Sequence, residues 1–114
     1  MITIIVKEIV GSNAISMNSG NKLREKIVKN WDADSKIRID FSGVDVFASP
    51  FFNASIGALL KDKKIEDLQN KLEFHSISNH GRKLLNLVIS NALKFYSDKD
   101  GKTNSSLTEI KKEL

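Results

Sequence analysis

The chain has no cysteine, one proline, one tryptophan, one tyrosine and two histidines among 114 residues. Without thiols there is no disulfide, no cysteine nucleophile and no thiolate metal site. Only His75 and His80 offer imidazole side chains as candidate bases. Neither stands at a spacing from Asp, Glu or another His that would build a zinc site. Gly11, Gly20, Gly43 and Gly57 are isolated, and none follows a strand in a phosphate-cradling loop. Long apolar runs are missing too. The opening MITIIVKEIV is interrupted by Lys7 and Glu8, and it lacks the basic start and small-residue cleavage site of a signal peptide. These absences lead us to expect no catalytic residues, no metal, no cofactor and no membrane partner, and a cytoplasmic location.

Charge excludes less. The 18 basic and 14 acidic residues give a net charge of +4, but they are interleaved and form no basic stripe or nucleic-acid reading module. Binding to nucleic acid is therefore not expected. A 40 % hydrophobic and 28 % charged composition at this length suits a single soluble domain with its own core.

Along the chain, β-branched residues predict a strand over Thr3 to Val10, ending at Gly11-Ser12-Asn13, and a short strand at 14–16. A helix is expected from Gly20 to Trp31, capped by Asn18 or Ser19, with Leu23, Ile27, Val28 and Trp31 on its apolar face. Alternation over 36–41 gives the next strand, stopped by Ser42-Gly43, and 44–47 forms an apolar link. A helix is read from Pro50 to about Lys61, with one more turn at 65–70. A strand follows over 71–77, with His75 on the face opposite Phe74. Ser78 or Asn79 then caps a long helix to Tyr96 whose stripe is Leu84, Leu85, Val88, Ile89, Ala92 and Phe95. The alternation of strand and helix predicts an α/β fold, a mixed β-sheet with helices packed against it, over residues 1–96. Residues 97–114 read as a polar tail in which LTEIKKEL forms a short, frayed helix.

The stretch ASPFFNASIGALL, residues 48–60, carries the lone proline and a doubled phenylalanine. Proline is well placed in a first helical turn because its missing N–H has no helical partner there, which makes Ser49 the expected N-cap. Phe52, Ile56, Leu59 and Leu60 share one face and belong to the core. Phe51 points elsewhere. It is either covered by the 44–47 link or the first helix, or left open beside Ser49 as part of a protein-binding patch. Ala54, Ser55, Gly57 and Ala58 are small enough to admit a close neighbour.

Residues 36–60, KIRIDFSGVDVFASPFFNASIGALL, resemble the signature of STAS and STAS-like domains, the sulfate-transporter and anti-sigma-factor-antagonist group. Ile39-Asp40-Phe41-Ser42-Gly43-Val44 matches the strand ending of that group. Ser49-Pro50-Phe51-Phe52-Asn53 looks like its small bacterial members of unassigned function, and residues 79–96 are similar to its last helix. The resemblance implies a STAS-like architecture and a non-catalytic regulatory module for signalling. Its implied partner is a protein, a GHKL-type ATPase or kinase, docked through Asp45, Ser49, Pro50, Phe51 and Asn53. It also makes Ser49 a candidate phosphoacceptor. The antagonists carry an Asp-Ser-Ser-Gly type of loop where Ala48-Ser49-Pro50-Phe51 stands, so their modified position falls on Ser49 or on Pro50, which has no hydroxyl.

Two other readings stay open. A small enzyme or nucleotide binder would use Asp40, Asp45, Ser49 and His80 in one pocket, and a nucleic-acid accessory protein would use the lysine-rich helix faces and tail. Residues 98–109, DKDGKTNSSLTE, look like a calcium loop, but Lys102 stands where a ligand is needed and Thr103 where the turn needs glycine. Calcium binding is not expected there.

Overall fold

A computed structural model of the protein describes the backbone of residues 1–99 and the side chains of residues 1–96. The elements are β1 (Ile2–Ile5), α1 (Val6–Val10), β2 (Asn13–Ala14), α2 (Met17–Lys29), β3 (Ile37–Asp40), β4 (Val46–Phe47), α3 (Ser49–Ser55), a 3₁₀ helix (Gly57–Lys61), α4 (Ile65–Lys71), β5 (Leu72–His75) and α5 (Asn79–Lys99). The fold is α/β, as the alternation predicts. The calcium-like loop and the helix expected in the tail lie almost wholly outside the described residues.

The main sheet has the order β1-β3-β5 with parallel pairing, and β2 and β4 form a separate two-stranded parallel ladder. Each crossover in the main sheet steps one strand in the same direction, and right-handed connections then lay their helices on one face. Burial agrees with this. Ile4, Ile37, Ile39 and Leu72 are buried under the helices, while Thr3, Ile5 and His75 are exposed on the other face. Arg38 and Glu73 pair across that open face at 2.7 Å.

The expected strand over Thr3 to Val10 is corrected. Its partner β3 offers four residues in register, Ile2↔Ile37 to Ile5↔Asp40, and then turns away. Beyond Ile5 the backbone needs other hydrogen-bond partners, and a helical turn supplies them internally. Thus Val6–Val10 is helical in spite of its β-branched residues, and it closes at Gly11 with φ 75°, a conformation that favours glycine.

Helix α2 starts three residues before the expected Gly20. Its cap is Ser16, whose Oγ accepts from the Ser19 N–H at 3.0 Å, not Asn18 or Ser19. Leu23 and Ile27 are buried as read, but Val28 is exposed, because the buried stripe runs back through Gly20. The helix read from Pro50 to Lys61 breaks after Ser55 and tightens into the 3₁₀ segment. On α5, Leu85, Val88 and Ile89 are buried while Phe95 is exposed, so the expected stripe ends short of it. Ser78 Oγ accepts from the Gly81 N–H at 3.0 Å and caps that helix. Among the described residues no helix is long and apolar enough to cross a membrane.

Candidate functional site

The Asp-Phe-Ser-Gly segment after β3 is a turn held by its own side chains. Asp40 Oδ1 accepts from the Ser42 N–H at 2.9 Å and from Ser42 Oγ at 2.7 Å. The Ser42 hydroxyl and then its backbone N–H stabilise the charged carboxylate and hold the Asp40 pKa below its ordinary value, outweighing desolvation. The chain reverses as the Val44 N–H donates to the Phe41 carbonyl at 3.0 Å, with Gly43 at φ 80° in the third turn position. This turn launches β4.

From there the chain is pinned to β2. The Asp45 N–H donates to Ser12 O at 2.9 Å and the Ala48 N–H to Ala14 O at 3.0 Å. Phe47 and its partner Ala14 face the core, so Val46, Asn13 and Ile15 point outward by strand alternation. Ala48, extended at φ −139° and ψ 154°, is the N-cap of α3 and makes no side-chain capping bond. The expectation of Ser49 as N-cap is corrected: Ser49 and Pro50 occupy the first two helical positions. Proline is harmless at the second as well, since that N–H also lacks a helical acceptor.

Both phenylalanines are fully buried, at 0 % exposure. Phe51 is therefore corrected from a docking residue to a core residue. An adjacent pair can be buried together because α3 is walled on two sides. Phe52 stacks on Phe47 at 5.6 Å between centroids and meets Phe41 at 6.1 Å. Phe51 turns edge-on to Phe52 at 5.3 Å, on the side where α2 packs. Gly20 makes that packing close: a Cβ there would lie 2.4 Å from the Phe51 carbonyl oxygen and 2.8 Å from Ala54 Cβ. One turn further on, Arg24 Nη1 donates to Ala54 O at 2.7 Å, satisfying a carbonyl near the end of α3. On the α5 side, Gly57 brings the chain against Val88 and Ala92. The run of small residues therefore serves two neighbours at once.

These contacts run from Gly20 to Phe51 and then from Arg24 to Ala54, so α2 and α3 lie side by side with their starts at the same end. What remains outside is a band. Val46 is 46 % exposed, Ile15 43 % and Met17 62 %; Asp45 and Pro50 are exposed, Ser49 is half-buried, and exposed Asn53 lines the cleft between α3 and α5. Ile15, Met17 and Val46 were not singled out from the sequence. Their signal was parity, since Ile15 and Val46 stand one residue to either side of the positions that turn inward.

Asp40, Asp45, Ser49 and His80 are not joined by any hydrogen bond or ion pair among the described residues, and Asp40 is occupied by Ser42. Three clefts, one along β1, one between α1 and α2, and one between α3 and α5, contain none of the four. Among the described residues no three His, Asp or Glu side chains group as metal ligands.

The Asp-Phe-Ser-Gly turn, the short strand it launches and the start of α3 all fall in the stretch whose sequence resembles STAS-like domains. The match to a family model over residues 19–82, more than half of the chain, agrees: the protein belongs to the family described as a STAS-like domain of unknown function. The matched stretch runs from the first turn of α2 to the first turn of α5; it includes Asp40 to Asn53, while Ile15 and Met17 lie just before it. No curated protein and no solved structure matches the chain.

Proposed function

We propose that the protein is a cytoplasmic, non-catalytic docking module that binds a partner protein through the band around the start of α3. The observation that carries this reading is the exposure of three apolar side chains, Ile15, Met17 and Val46, beside the helix start of a STAS-like domain. Single exposed apolar residues are common, but a group next to ordered polar positions marks an interaction surface. Asp45, Ser49, Pro50 and Asn53 frame it, while Phe51 holds it rigid from beneath. The resemblance to anti-sigma-factor antagonists supplies the partner class, a GHKL-type ATPase or kinase. Ser49 is the proposed phosphoacceptor: a phosphate dianion there would have to be desolvated within the docked band, which would release the partner.

Affinity purification with the full chain as bait tests this, followed by reconstitution with the purified ATPase so obtained. Val46→Asp together with Met17→Asp should abolish the complex and leave the melting temperature of the free chain unchanged. Incubation with ATP should add one phosphate by intact mass, and Ser49→Ala should prevent it. A complex indifferent to Val46→Asp and Met17→Asp would overturn the docking assignment. A phosphate retained in Ser49→Ala would overturn the phosphoacceptor.

A further inference from the structure

Among the described residues no strand pairs with the outer edge of β1 in the main sheet. The Ile2 N–H donates to Lys36 O at 2.9 Å, and the register Ile2↔Ile37 then commits Ile2 and Ile4 to β3. In a parallel ladder alternate residues bond to one neighbour, so the N–H and C=O of Thr3 and the N–H of Ile5 face away from the sheet. Edge strands are commonly blunted by a charge, a proline or a bulge. The ITII of β1 contains no charged residue and no proline, and its pairing with β3 is unbroken.

A cleft of about 420 Å³ runs along this edge. Ile2, Ile4 and Ile9 give it an apolar floor, and Lys26 and Lys29 of α2 rim it against the single acid Glu8. The rim continues into a neighbouring cleft that adds Lys22 and Glu25. We propose that this edge takes up an extended acidic peptide segment of a partner protein as an added parallel or antiparallel strand. Main-chain bonds to Thr3 and Ile5 would hold it, alternate carboxylates on the helix face would meet Lys26 and Lys29, and the apolar residues between them would lie beside Ile5 on the other face. A second copy of the chain is the poorer occupant, because edge-to-edge pairing brings the two lysine rims together. This site is separate in its residues from the band around α3.

The probe is a short fluorescein-labelled peptide of alternating valine and glutamate, compared with its valine-lysine counterpart by fluorescence anisotropy against the full chain. The glutamate peptide should bind, weaken as salt is raised, and shift the amide resonances of residues 2–5. Lys26→Glu with Lys29→Glu should weaken it at least about tenfold. Thr3→Pro should weaken it similarly while the chain stays folded, because the lost N–H faces the open edge and not β3. Equal binding of the lysine peptide, or binding indifferent to both Thr3→Pro and the lysine reversals, would overturn the proposal. Concentration-dependent dimerisation abolished by Thr3→Pro would overturn it too, by assigning the edge to a second copy.

Discussion

Replacing Phe51 with alanine should damage folding, and the size of the loss can be worked out. The ring is fully buried, so its transfer from water contributes about 1.5–3 kcal/mol. Its edge-on contact with Phe52 at 5.3 Å adds about 0.5–1.5 kcal/mol. The void left between α2 and α3 costs more, because Gly20 and Ala54 already touch and the helices cannot collapse much further. The sum is about 3–5 kcal/mol, the usual range for phenylalanine to alanine in a core. Domains of this size have about 5–15 kcal/mol in all, so the variant should fold only marginally. With a urea slope near 1.5 kcal/mol per molar, the midpoint should fall by about 2 to 3 M. Urea unfolding followed by circular dichroism reads this directly. A midpoint within about 0.5 M of the parent would refute the reasoning and return Phe51 to the surface.

Gly20→Ala sets two effects against each other: alanine gains about 1 kcal/mol of helix propensity, but its Cβ would sit 2.4 Å from the Phe51 carbonyl oxygen, and overpacking of that kind costs about 1–3 kcal/mol. A net loss of up to about 2 kcal/mol in urea unfolding is expected, against little change for Gly57→Ala, whose nearest neighbour is a Val88 methyl at 3.2 Å. Ser42→Ala should raise the Asp40 pKa, measured by carboxyl-carbon NMR titration, because its largest cause of depression is the Ser42 hydroxyl. A depressed folded-state pKa gives stability that is present above the unfolded value of 3.8 and lost as pH falls through the folded value. The parent should therefore lose stability on acidification into that window, and Asp40→Asn should flatten this limb of the stability curve. Ser16→Ala should cost about 1 kcal/mol by loss of the α2 cap, read by thermal melting, whereas Ser19→Ala should cost less.

How much of this was legible in the sequence depended on whether a feature was local. The turn after β3 was readable because Asp40, Ser42 and Gly43 make it with their own atoms and backbone conformations. The long helix α5 was readable because Leu85, Val88 and Ile89 repeat at helical spacing and Ser78 caps it. The fate of Val6–Val10 was not readable: β-branched residues favour a strand, and only the four-residue length of β3 denies them a partner. For Phe51 the sequence left two readings open, cover by the 44–47 link or the first helix and a place in a docking patch. The structure selects the cover, with Gly20 of α2 against the Phe51 carbonyl. Val28 lies beside the buried Gly20, Leu23 and Ile27 stripe and not on it, and Phe95 lies beyond the buried Leu85, Val88 and Ile89, so both are exposed. At the candidate site, Asp45, Pro50 and Asn53 stay on the surface as read, while Ile15, Met17 and Val46 needed the β2–β4 pairing before their outward parity showed.

The central claim is that one continuous surface, made of the outward residues of β2 and β4 and the start of α3, receives the partner. Hydrogen–deuterium exchange on the full chain, alone and in complex with the partner obtained by affinity purification, tests it most directly. The account predicts slowed exchange over residues 13–17 and 45–53, with no change in Arg38 and Glu73 on the open sheet face. Protection confined to that sheet face, with the start of α3 exchanging as in the free chain, would contradict it.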